Sequence, residues 1–105
     1  MIDVNADATV SRTALKAEGT RIVLFSFDTG QELTEHTAAI PVLLHLIDGA
    51  LEVTADGQTM DLRPGGVIHL PARQPHSVLA TQPSRMVLTM LDPRTREQSG
   101  DVPAG

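Results

Sequence analysis

The sequence contains no cysteine, tryptophan or tyrosine, and Phe25 and Phe27 are its only phenylalanines. The lack of cysteine excludes disulfides, thiolate metal centres and cysteine nucleophiles. Two phenylalanines cannot supply the stacking platforms that hold single-stranded nucleic acid, and they leave the core to aliphatic side chains. No basic run occurs either. Eight lysines and arginines are scattered against thirteen acidic residues, for a net charge of −5. A phosphate backbone calls for a basic stripe, so nucleic acid is not an expected partner. The longest apolar run, Ala38 to Leu44, is far too short to span a bilayer. The opening Met1-Ile2-Asp3-Val4-Asn5 has no apolar stretch of the secretory kind. A soluble cytoplasmic protein without a membrane partner is the expectation.

What is present is dense, regular punctuation. Turn signals fall at Glu18-Gly19, Thr29-Gly30, Asp48-Gly49, Asp56-Gly57, Pro64-Gly65-Gly66, Pro71 to Pro75 and Gln82-Pro83. The short pieces between them leave little room for helices, and 105 residues make one small domain. Several pieces alternate with period two. Val23, Phe25 and Phe27 share one face; Leu51, Val53 and Ala55 share another; so do Met60 and Leu62. Asp56-Gly57 between two such pieces is a hairpin signal. The reading is an all-β barrel over residues 12–91. Its edge strand runs from Arg12 to Lys16, with flexible segments at 1–11 and 92–105. Val42 to Ile47 and Met86 to Leu91 are almost continuously apolar, as in strands covered on both faces, and a homodimer partner would supply the second cover.

Two segments carry more specific information. Gly30 is followed by five residues and then His36, with Gly49 closing the first segment. The second reads Pro64-Gly65-Gly66-Val67-Ile68-His69-Leu70-Pro71-Ala72-Arg73-Gln74-Pro75-His76. The spacing resembles the two motifs of the cupin family, the RmlC-like conserved barrels. The resemblance implies a double-stranded β-helix, or jelly-roll barrel, whose inward side chains converge in a lumen. It also implies a divalent metal such as Zn, Fe, Ni or Mn, held in many members by three His and one Glu. Carried over by position, His36 and His76 remain as metal ligands. Ala38 stands at the second His position and Val42 at the Glu position, so a lumen holding two histidines and no metal is the equal alternative.

His45 is the candidate third ligand. If Val42, Leu44 and Leu46 point inward, alternation turns His45 outward unless a bulge shifts the phase. His69, between Ile68 and Leu70, is expected on the outer face. Glu32 and Thr34 share parity with His36 and could line the lumen. The candidate ligand contacts are Thr34, Met60, Arg73 and Met86: the methionines as core filler or an adaptable pocket wall, Arg73 as an anion contact at the barrel mouth. Three functions follow: a small-molecule-binding barrel with or without metal, a metal-dependent enzyme of dioxygenase, isomerase or decarboxylase type, or a metal-free isomerase using a His base with Arg73 as anion partner.

Overall fold

The computed structural model describes residues 2–95. Seven strands follow in order: β1 Thr9–Ala17, β2 Thr20–Phe27, β3 Glu32–His36, β4 Val42–Ala55, β5 Gln58–Leu62, β6 Val67–Leu70 and β7 His76–Met90. No helix occurs among the described residues, and none is therefore long and apolar enough to cross a membrane.

Strands β4 and β7 organise the molecule. They pair antiparallel along most of their length, with register shifts around Asp48 and Ala50 where β4 bends. One half of the pair, Val42 to Asp48 against Arg85 to Met90, is flanked by β6 on one side and by β2 and β1 on the other. The other half, Leu51 to Ala55 against His76 to Ala80, is flanked by β5 and β3. The two halves fold over each other as the two layers of a jelly roll. Asp48-Gly49 and Gln82-Pro83 read as turns in sequence, but they are bends within single strands. Gly49 has φ +95°, and a Cβ there would collide with Ser84 Oγ and the Pro83 carbonyl. Only glycine lets the two bends cross so closely. Asp56 and Gly57 both take positive φ, 52° and 72°, giving the tight β4–β5 hairpin.

The core is aliphatic, as the composition requires. Phe27, Leu46, Val53 and Met86 are fully buried, and Leu44, Leu51, Leu70, Val78 and Ala80 are nearly so. Each such side chain contributes about 1.5–3 kcal/mol of burial for the larger aliphatics. Phe25 stacks on Phe27 with centroids 5.9 Å apart.

Both chain ends depart from the sequence expectation. Strand β1 starts at Thr9 rather than Arg12, and residues 2–8 do not hang free. Ile2 is buried. Its carbonyl accepts from Arg85 Nε at 2.8 Å, and the Asp3 carbonyl accepts from the buried Ser26 Oγ at 2.8 Å. Asp7 N donates to Asp28 Oδ2 at 2.7 Å. The backbone of an unpatterned segment thus satisfies polar groups that the sheet buries. At the other end, Asp92 N donates to the Gly19 carbonyl and Gly19 N to the Thr95 carbonyl, so residues 92–95 are tied to the β1–β2 turn. The remainder of the expected tail, 96–105, lies outside the described residues.

Candidate functional site

Between the layers, one end of the barrel is hollow. The cavity has a volume of about 260 Å³. Phe25, Val42, Leu44, Met86, Leu88 and Met90 face it from one layer, Leu33, His36, His76 and Val78 from the other, and Ala38 from the β3–β4 connection. Alternation along β2, β4 and β7 accounts for most of this set. Among the described residues that line it, His36 and His76 are the only polar ones.

The two histidines are directly opposed Cα partners on β3 and β7. Their ring centroids lie 4.4 Å apart, edge to face at 64°. Each ring is anchored in the same way. His36 Nδ1 lies 2.8 Å from the Thr34 carbonyl, and His76 Nδ1 lies 3.0 Å from the Gln74 carbonyl. A carbonyl only accepts, so Nδ1 carries the proton and donates. In the neutral ring Nε2 is then a lone-pair acceptor. His76 is buried at 5% exposure, whereas His36 sits at the exposed rim. The corner before β7 fixes the start of that strand. Pro75 holds Gln74 away from helical geometry, Arg73 turns the chain at φ +66°, and Arg73 N donates to the Ala38 carbonyl at 2.7 Å.

The remaining candidates fall elsewhere. His45 is half-buried on the outer face, paired with Val67 and Val87, and does not reach the cavity. His69 is exposed opposite Leu43. Thr34 and Glu32 are exposed and do not line the lumen. The register shifts between Leu33 and His36, so Leu33 takes the inward place that simple alternation assigns to Thr34. Thr34 acts through its carbonyl alone. Met60 packs against the core from β5, outside the cavity. The Arg73 side chain is exposed and is not among the lining groups. Met86 does line the cavity. Phe25, Leu33, Leu44, Val78 and Leu88 were not singled out from sequence as site residues. Inward parity marks most of them, but a hydrocarbon side chain carries no chemical signal to separate wall from core.

Ala38 and Val42, the positions corresponding to the family's other two donors, face this same cavity. Among the described residues no three His, Cys, Asp or Glu side chains are grouped closely enough to hold a metal ion. Two imidazoles and an otherwise apolar wall, with no carboxylate to offset a dication's charge, do not fit the four-donor centre.

Two layers sharing two bent strands around a hollow lumen define a small jelly-roll barrel with a histidine-bearing pocket. The chain belongs to the cupin family: the family model for the cupin domain matches residues 23–92. Among solved structures, a conserved protein of unknown function from Streptococcus pyogenes is similar at 29% identity and TM-score 0.81, over 88% of this chain and 81% of that one. A cupin superfamily protein from Desulfitobacterium hafniense is similar at 25% identity and TM-score 0.82, over 87% of this chain and 84% of that one. An RmlC-like cupin from Desulfovibrio desulfuricans shares the fold at 24% identity and TM-score 0.78, over 87% and 89%. No curated protein matches the sequence.

Proposed function

We propose that this cupin binds a small organic molecule in its lumen without a metal. The observation that carries the reading is the composition of the cavity wall. Two imidazoles with fixed tautomers stand in a pocket where Ala38 and Val42 replace donors with hydrocarbon. The pocket is preformed and lies slightly below the size range of drug-sized sites, so it suits a small molecule. The enzyme readings draw less support. A metal-dependent reaction needs a third donor, which His45 does not supply. An isomerase pairing a His base with an anion partner needs Arg73 in the lumen, where its side chain is not found.

The test is a methyl-resolved NMR titration of the purified protein with a panel of small organic molecules, in the presence of a chelator. Binding in the lumen shifts the methyls of Val42, Leu44, Val78 and Met86. Shifts confined to other methyls, or none across the panel, would overturn the reading.

The same reading extends to assembly as a homodimer. On the outer face, the rows Leu24–Val87–His45–Val67 and Ile22–Thr89–Leu43–His69 cross four strands without an acidic residue. Val67 is 56% exposed and Ile47 nearby on β4 is 40% exposed. In a chain of net charge −5, a largely aliphatic face whose paired rows carry no acidic side chain is where a second copy meets least repulsion.

A further inference from the structure

We infer that the lumen is built for a neutral, single-ring aromatic molecule carrying one hydroxyl, the phenol class, with its O–H donated to His76 Nε2. The inference rests on the binding reading above and narrows it to a ligand chemistry.

Hydrogen-bond polarity comes first. Both Nδ1 atoms are committed to backbone carbonyls, and among the described residues no hydrogen bond to either Nε2 is found. With both rings neutral, the described residues of the pocket therefore offer acceptors and no free side-chain donor. His36 is at the rim, where water can serve its Nε2. His76 is buried as a residue, but its Nε2 is not among the buried unpaired polar atoms; it stays accessible, and in the cavity that His76 lines a bound O–H can replace water as its donor. A carboxylate or phosphate finds a donor here only where an Nε2 takes up a proton, and among the described residues no Lys or Arg side chain faces the cavity to offset its charge.

The number of polar groups comes second. Every other lining side chain is hydrocarbon or thioether. A sugar entering this lumen would strip water from many hydroxyls and find partners for one or two, and each stranded group opposes binding. A molecule with one polar end and an apolar body leaves nothing stranded.

The wall itself speaks for an aromatic body. Met86 and Met90 present polarizable side chains and Phe25 a ring, which favour an aryl group over a saturated one of equal size. The volume of about 260 Å³ admits one ring with small substituents.

The experiment titrates phenol, benzene, cyclohexanol, benzoate and glucose into the wild-type protein with chelator present, following the lumen methyls and the His76 ring by NMR. Phenol should bind in the millimolar range, about fivefold tighter than benzene, which lacks the hydroxyl. It should also bind more tightly than cyclohexanol, and should shift the His76 ring signals. Benzoate and glucose should leave the lumen methyls unmoved. In H76F, which keeps a ring but loses the acceptor, the preference for phenol over benzene should vanish. If that variant does not fold, the wild-type ratio of phenol to benzene decides. A ratio near one, or cyclohexanol binding more tightly, removes the phenol assignment. Lumen shifts with benzoate or glucose exceeding those with phenol also remove it, while leaving the binding reading in place. If none of the five shifts the lumen methyls, the phenol class is rejected, and the broader panel above judges the binding reading separately.

Discussion

The two ends of the barrel are made from the same strands and differ in what fills them. At the closed end, Phe27, Leu46 and Ala80 are buried, and the buried Ser26 and Ser84 hydroxyls are both hydrogen-bonded. Ser84 Oγ lies within bonding distance of the Gln82 carbonyl, the Ala50 carbonyl and Ala50 N, at 2.7, 3.2 and 3.0 Å. Arg85 bridges Asp48 at 2.8 Å and the Ile2 carbonyl. At the open end, the continuation of β4 and β7 carries Val42, Leu88 and Met90 around a cavity, with His76 as the one buried polar side chain among the described lining residues. The contrast suggests a division of labour. Packing and polar satisfaction at one end hold the strands, which lets the other end remain hollow without collapse.

The most damaging way to probe that division is at the crossing of the two bends. Gly49→Ala places a methyl 2.6 Å from Ser84 Cα and onto the Pro83 carbonyl, at φ +95°. Backbone must move, and the cost should be about 3–5 kcal/mol of unfolding free energy. Denaturant titration measures it. A loss under about 1 kcal/mol would show that the closed end is not the rigid part.

The open end should tolerate change and respond with new chemistry instead. Ala38→His combined with Val42→Glu points two donors into the cavity that already holds His36 and His76. Affinity for Zn or Ni should rise by at least about 100-fold, because each added donor compensates the ion further. Competition with a chromophoric chelator reads this directly. Unchanged affinity would mean that these four positions do not converge, and that the missing donors are not why the wild-type site fails to fit a metal.

How far these ends were legible in the sequence depended on how local the determining physics was. Asp56-Gly57 announces its hairpin because both residues tolerate positive φ. Val42, Leu44 and Leu46 announce their inward face by alternation, and the same alternation turns His45 outward, as the structure has it. Motif spacing set His36 and His76 on strands that prove to be direct partners. Alternation failed where the register slips. The irregularity between Leu33 and His36 exchanges Thr34 for Leu33, and nothing in Glu32–His36 signals it. Gly49 and Pro83 looked like chain reversals because turns and bends use the same residues. The hold on residues 2–8 was invisible, since it depends on backbone carbonyls meeting Ser26 and Arg85 from distant strands.

The outer face gives a smaller and purely intermolecular effect. Val67→Glu adds an acidic group to the acid-free rows, and a two-fold interface would bring its charge near the partner's copy. The dimer should weaken by about tenfold or more, with folding of the barrel little changed. Sedimentation velocity across a concentration series checks it. A wild-type protein that is monomeric at high concentration would remove the face as an interface.

The smallest expected effect lies at the strap that closes the packed end. Asp28 accepts the backbone N–H of Asp7 through Oδ2 at 2.7 Å and that of Thr29 through Oδ1 at 2.8 Å. The Asp7 N–H, and then that of Thr29, hold its carboxyl below the ordinary value of 3.8. A carboxyl whose folded pKa is depressed stabilises the folded state fully above the unfolded value. That contribution is lost as pH falls through the folded pKa. Asp28→Asn keeps an acceptor oxygen but loses the charge. Its denaturation midpoint should lie slightly below the wild type at neutral pH, and the gap should close as pH drops below about 3.8. Asp92, also held low by hydrogen bonds from Arg94, titrates in the same acid window. It is present in both proteins, so the difference between the two curves reports Asp28 alone. A gap that persists undiminished to the acid end of the series would show that the Asp28 charge does not hold the strap, leaving Ile2, Ser26 and Arg85 to fasten the closed end.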